Sequence, residues 1–311
     1  MRPRAVLLTL LVVALGAGLL GAGLLGASWA SPGFAQWVQP SPTGSKPTQT
    51  PTPAIKVEPT TPPPAPALPT LVPPANPASI KVSGAWLFGW AFLDRQTGKV
   101  VGSTNSATVT NTVESMIKPW IASDYLRRRA EAGKEPTQLA LKELTLMIVD
   151  SNDPMAEKYY QIGGADAVVK RLISMCGLTK VTIKPTLWSW TLMTPQDAVK
   201  YGRCLGDGRA AGPKWTAWIL DTMKKVRGGV ADQKSGAVQG GRWGIIDALP
   251  PVLAKDTSIK NGWTLYRDGW HVNCLAVHPN WVLNVMIRTT RGLQAAADMC
   301  KSVAARMVVL P

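Results

Sequence analysis

Histidine is nearly missing from this chain, with His271 and His278 the only two among 311 residues. Cysteine is almost as scarce: Cys176, Cys204, Cys274 and Cys300 are the full set, and no C-x-x-C pair occurs. Thiolate- and imidazole-rich metal sites therefore have no support, and no metal or other cofactor is expected. Acidic residues are few, 19 against 34 Lys and Arg, for a formal charge of +15. That excess suits an anionic wall polymer or a membrane surface as partner. No nucleic-acid-binding motif accompanies it, so nucleic acid is not expected.

Charge is also absent from a long stretch near the start. Arg2 and Arg4 lead into an apolar run over residues 5–27, followed by the small residues of Ser28-Trp29-Ala30. The pattern predicts export, with residues 1–36 forming either a cleaved signal peptide or an uncleaved N-terminal membrane anchor. No cysteine lies near the cut, which argues against a lipid anchor. Gly16-Ala17-Gly18-Leu19-Leu20-Gly21 matches a dinucleotide fingerprint but has no strand before it and no acidic residue at the ribose distance, so it is a decoy. Residues 37–79 are dominated by Pro, Thr, Ser and Ala, cannot bury a core, and predict an extended, disordered linker to an extracellular or cell-surface domain.

The remaining residues 80–311 are enough for one substantial core. An even cysteine count in an exported chain favours disulfides, and of the three possible pairings Cys176 with Cys204 and Cys274 with Cys300 are closest in sequence. Residues 85–93 and 99–101 flank Asp94-Arg95-Gln96-Thr97-Gly98, which predicts a hairpin. Asn111 followed by Glu114 resembles a capping box for a helix running to about residue 133, and further helical stretches are predicted at 136–149, 155–162, 165–175, 195–205 and 214–225. Residues 258–267, 269–278 and 280–290 alternate apolar and polar side chains between Asp268-Gly269 and Pro279-Asn280, predicting a three-stranded meander. Residues 291–307 then read as a closing helix. Strand pair, helical block, meander and helix predict an α+β fold. Its antiparallel sheet is built from both ends of the domain and flanked by helices, with an inserted all-helical region.

The motif with chemical content is Ser115-Met116-Ile117-Lys118, an S-x-x-K that sets a hydroxyl and an amine one helical turn apart. Near a helix start, exposed amides can also stabilise an oxyanion. Two further segments follow in order: Asp150-Ser151-Asn152 ahead of Gly163-Gly164, and Lys260-Asn261-Gly262-Trp263 after Trp243-Gly244-Ile245. Together the three motifs resemble those of the serine β-lactamase and D,D-peptidase (penicillin-recognising) family, particularly its secreted, class A-like actinobacterial members. Lys234-Ser235-Gly236 matches the last motif better by letter, but its glycine-rich surroundings read as a loop, and only Lys260 leads into a meander.

The resemblance implies that Ser115 attacks a carbonyl, Lys118 takes its proton, and the amides of Ser115 and Trp263 hold the oxyanion. It also implies that Lys260 binds a substrate carboxylate, Asn152 and Asn261 contact substrate, and Gly262 lets it lie along the strand. Counting back from Gly163 puts Asn152 on the family's asparagine and Asp150 on its proton-relaying serine; a shifted loop would put Ser151 there instead. Class A β-lactamases carry a water-activating glutamate in the segment matching residues 177–194, where this chain has no acid and offers Trp188 instead. The resemblance thus implies a serine hydrolase acting on cell-wall peptide or a β-lactam-like molecule with poor β-lactam turnover. Its alternatives are an inactive binding cleft for wall peptide or a protein partner, and a true β-lactamase.

Overall fold

The computed structural model describes residues 68–235 and 240–311. The predicted export segment, the decoy fingerprint and most of the linker lie outside the described residues. In chain order the elements are β1 (Thr70–Leu71), β2 (Leu87–Asp94), β3 (Val100–Gly102), β4 (Asn111–Thr112), α1 (Lys118–Glu131), α2 (Gln138–Val149), α3 (Asp153–Ile162), α4 (Asp166–Cys176), β5 (Leu192–Met193), α5 (Pro195–Gly206) and α6 (Pro213–Lys224). They continue as α7 (Val230–Ser235), α8 (Pro251–Ala254), β6 (Ser258–Ile259), β7 (Gly262–Tyr266), β8 (Gly269–Val277), β9 (Trp281–Thr289), α9 (Leu293–Ala305) and β10 (Val308–Val309).

A six-stranded antiparallel sheet runs β3-β2-β9-β8-β6, with β7 also paired to β8. The hairpin β2–β3 turns where expected: Asp94 Oδ1 accepts from the amides of Gln96 and Thr97, and Gly98 takes the positive φ of +75° that closes the turn. The meander forms as expected too, except that its first strand breaks into β6 and β7 around Lys260-Asn261, the point at which the chain carries a motif. Strands β2 and β9 are buried on both faces, so Trp90, Leu93, Val285 and Ile287 form a continuous apolar run with α5 and α9 packed on the sheet. Gly202 of α5 permits the close approach, since a Cβ there would sit 2.5 Å from Val282 Cγ1.

Both disulfides pair as the sequence spacing suggested. Cys176–Cys204 joins the end of α4 to α5, and Cys274–Cys300 joins β8 to α9. They close 28- and 26-residue separations. Replacing both Cys274 and Cys300 by serine is expected to lower the unfolding free energy by about 3 kcal/mol, read from urea unfolding of oxidised protein.

Three expectations change. The folded unit begins before residue 80, because Thr70 and Leu71 pair with Val309 and Val308 and bury Leu71; proline spacing hid a two-residue strand that only its partner at the other end stabilises. Asn111 and Glu114 do not form a capping box. Asn111 sits in β4 and donates to Val272 O, while Glu114 adopts φ +49° and turns its carboxylate to Thr264 and Tyr266. Lys234 and Ser235 end helix α7 rather than lying in a loop.

Candidate functional site

Ser115 lies in a 3-10 turn, Glu114–Ile117, that runs directly into α1 at Lys118. Pro119 at the helix start makes this junction cheap, because its missing N–H is one that a helix N-terminus leaves unpaired anyway. Ser115 lines a cavity of about 440 Å³ together with Glu114, Asp153, Glu157, Trp188 and Trp263. Strand β7 forms one wall at very close range. A Cβ on Gly262 would meet Val113 O at 2.6 Å and Met116 N at 2.7 Å, so only glycine lets the strand lie against the turn bearing Ser115.

Behind the cavity lie two fully buried lysines. Lys118 Nζ donates to Ser151 O (2.5 Å), Ser151 Oγ (3.1 Å) and Asp153 Oδ1 (2.6 Å), which uses all three of its donors. Lys260 Nζ lies 2.9 Å from Ser151 Oγ and donates to Asn261 O. One serine hydroxyl therefore bridges two amines. Burial pushes Lys118 down to about 8, with the Asp153 carboxylate pulling back upward. Burial, reinforced by the neighbouring charge of Lys118, pushes Lys260 well below the usual lysine range. Two adjacent buried ammonium groups would repel, so the single full charge belongs on Lys118, which alone has a carboxylate partner.

The inward-facing position of this loop therefore falls one residue later than counting back from Gly163 suggested. Ser151, at φ +55°, turns its hydroxyl inward, whereas Asp150 faces outward to an ion pair with Arg227 at 2.6 Å. Of the two residues left open for that position, Ser151 is the one turned toward the lysines and Asp150 the one turned away. Asn152, expected to contact substrate, caps α3, its Oδ1 accepting from Met155 N. Asp153 takes the place assigned to asparagine, and the segment reads Ser-Asn-Asp with its last two letters exchanged. Helix α3 reaches Gly163 one residue sooner than the count assumed.

Asn261 also departs from its expected role: its amide is spent on Gly241 O and Trp243 O, both at 2.8 Å, anchoring the loop before β6. Lys260 sits behind the wall rather than in it. Trp188 does line the cavity, with its ring 5.4 Å from Lys118 Nζ and its indole N–H donating to Glu157 Oε2. Trp263 lines it as well, with Lys260 Nζ 5.5 Å from its ring.

Glu114, Asp153 and Glu157 were missed by sequence reasoning. Glu114 is held by Thr264 Oγ1 at 2.7 Å and Tyr266 OH at 2.8 Å, and burial raises its carboxyl despite those donors. Of the four described non-glycine residues with φ near +50° to +63°, Glu114, Ser151 and Thr186 all border this site. Such backbone costs of order 1–3 kcal/mol per residue and persists where the surroundings enforce it. Nothing in the letters E, S and T announces it.

This arrangement of sheet and helical insert matches solved structures. The fold is that of the class A β-lactamases. A class A β-lactamase from Mycobacterium abscessus superposes with a TM-score of 0.53 at 15% identity, covering 72% of this chain and 93% of that one. A β-lactamase from Xanthomonas campestris gives 0.55 at 16% identity over 72% and 90%. PBP-A gives 0.55 at 15% over 73% and 90%. No family model matches the sequence. Among curated proteins, "Putative lipoprotein LppW" of Mycobacterium tuberculosis is 29% identical over 177 residues, 56% of this chain and 52% of LppW. The chain spans about half the length of the curated relatives it matches. Among the described residues, no helix is long and apolar enough to cross a membrane, and no group of His, Cys, Asp and Glu is placed to hold a metal.

Proposed function

We propose that this chain is a cell-envelope serine hydrolase that acylates Ser115 with a peptide-like amide or ester and turns over β-lactams poorly. The observation that carries this reading is the Ser151 hydroxyl placed between Lys118 and Lys260, one helical turn of chain from Ser115. In the acylation step the Ser115 oxygen bonds to the carbonyl carbon and its proton passes to the Lys118 amine, acting through the minor neutral fraction that burial leaves at pH 7. That proton then crosses Ser151 to the leaving nitrogen or oxygen as the carbonyl bond breaks. Lys260, buried against the same hydroxyl, orients it. The N–H groups of Ser115 and Trp263, on facing walls, suit the oxyanion.

Slow deacylation follows from the carboxylates: Asp153 is engaged with Lys118, Glu157 with Trp188, and Glu114 with Thr264 and Tyr266. Envelope placement draws on the apolar run behind Arg2 and Arg4, and on the name of LppW. Wall peptide as the substrate class rests on the resemblance of the three ordered motifs to those of the D,D-peptidases.

A second reading, a binding-only cleft, is favoured by one observation. Lys118 as an ammonium with three donors committed has no lone pair for the Ser115 proton. Intact-mass spectrometry of the purified protein with benzylpenicillin and, separately, a fluorophosphonate decides between them. A stable adduct that Ser115→Ala abolishes is the expected result; no adduct with either reagent gives the case to the binding cleft.

A further inference from the structure

The cavity presents the opposite charge from the one its motifs lead one to expect. Lys118 and Lys260 are fully buried behind it, and the charged residues lining it, among those described, are the carboxylates Glu114, Asp153 and Glu157. In a chain of +15 this is a local reversal. Asp153 is the pivotal one. Its side chain is 66% exposed to the cavity side, yet one oxygen reaches back 2.6 Å to an ammonium of zero exposure. That pair is therefore half a cation site already, occupied from behind by the protein's own lysine, and among the described residues the second carboxylate oxygen has no hydrogen-bond partner.

We infer that Asp153 is the specificity-determining residue of the cavity, selecting acyl substrates that carry an ammonium group within a side chain's length of the scissile carbonyl and coupling their capture to release of Lys118. This rests on the hydrolase reading above for its chemical step, though not for its binding step. An incoming ammonium gives Asp153 a solvent-side partner, and Trp188 and Trp263 offer ring faces to the same charge.

With Asp153 drawn away, the groups facing Lys118 are Ser151 from the start of α3, Lys260 from the β6–β7 break, the more distant Glu114 carboxylate from the turn, and the Trp188 ring. The balance then favours loss of the Lys118 proton to water through the cavity. The neutral amine so produced can accept the Ser115 proton as the oxygen–carbon bond forms. A neutral substrate leaves Asp153 on Lys118 and meets a base that is mostly protonated at pH 7, so it acylates slowly. The sign follows from the cause: Asp153 raises Lys118 toward about 8, so losing that carboxylate lowers it further and increases the neutral fraction at pH 7.

The test uses a matched pair, Nα-acetyl-lysine and Nα-acetyl-norleucine, as amides for calorimetric binding and as p-nitrophenyl esters for Ser115 acylation followed by mass. Wild-type protein should prefer the lysine compound by about tenfold or more in both measurements, the worth of one charge-assisted hydrogen bond. Asp153→Asn should erase the preference, accelerate the norleucine ester at pH 7, and move the acid limb of its pH profile downward. Glu157→Gln should retain the preference. Equal binding of the two amides by wild type, or a preference that survives Asp153→Asn, overturns the inference. Preferential amide binding with no ester ever acylating Ser115 would sink the hydrolase reading while leaving selection by Asp153 standing.

Discussion

Replacing Ser151 by alanine should slow acylation of Ser115 by an amide substrate by about 10²- to 10⁴-fold, the range that positioned proton transfer supplies. The hydroxyl lies 3.1 Å from Lys118 Nζ and 2.9 Å from Lys260 Nζ, and no other described hydroxyl is bonded to either amine. Its work is delivery of a proton to the departing group. An amine leaving group requires that proton, whereas p-nitrophenolate departs without it. The loss should therefore be far smaller on a p-nitrophenyl ester of the same acyl group. Comparing the two leaving groups in single-turnover acylation checks the role directly. Equal losses on both would show that Ser151 only shapes the cavity; no loss on either would remove it from the chemistry. Asp150→Ala, which breaks the outward-facing ion pair with Arg227, should change neither rate by more than about twofold, since a solvent-screened pair contributes little even to stability.

Lys118→Met should separate activity from stability. Acylation should fall by about 10⁴-fold, because the group that takes the Ser115 proton is gone. Folding should suffer little, and a gain of about 1 kcal/mol is expected. Methionine fills much the same volume, a buried charge disappears, and the widely exposed Asp153 returns to water instead of being stranded. The pH dependence carries the same logic. Lys118 titrates near 8 in the folded protein and near 10.5 when unfolded, so between those values the unfolded chain binds more protons. Stability contributed by this group therefore rises with pH from about 8 to 10.5, where the cost of burying the ammonium is relieved, and is lowest below 8. Urea unfolding of wild type and Lys118→Met at pH 7 and pH 10 should show the variant losing that rise. A destabilisation above about 3 kcal/mol at pH 7 would mean that the ammonium anchors the loop at Ser151 rather than burdening it.

Both expectations turn on details of a loop that one-dimensional counting placed one residue away. The count from Gly163 assumes a constant helix length, and α3 starts a residue late because Ser151 sits at positive φ. A non-glycine residue gives no sign of that conformation in sequence, since tertiary contacts enforce it against its own preference. The same holds for Glu114, whose letter suggests a helix start and whose backbone instead delivers a carboxylate to β7.

What the sequence determined by itself was whatever depends on local pattern. Two hairpin signals, the 3.6-residue stripe of Leu293, Ala296, Ala297, Cys300 and Val303, and cysteines close in the chain sufficed for the sheet, the closing helix and both disulfides. Ordered motifs pointed to Ser115, Lys118 and Lys260; in the fold the two lysines meet at the Ser151 hydroxyl and Ser115 lines the cavity. Tertiary structure alone decided which polar side chain of Asp150-Ser151-Asn152-Asp153 turns inward, that the lysines lie behind the wall, and that carboxylates line the cavity. None of those choices alters the apolar pattern; each depends on the polar partners that the fold sets against a residue, two amines for Ser151 and the hydroxyls of Thr264 and Tyr266 for Glu114.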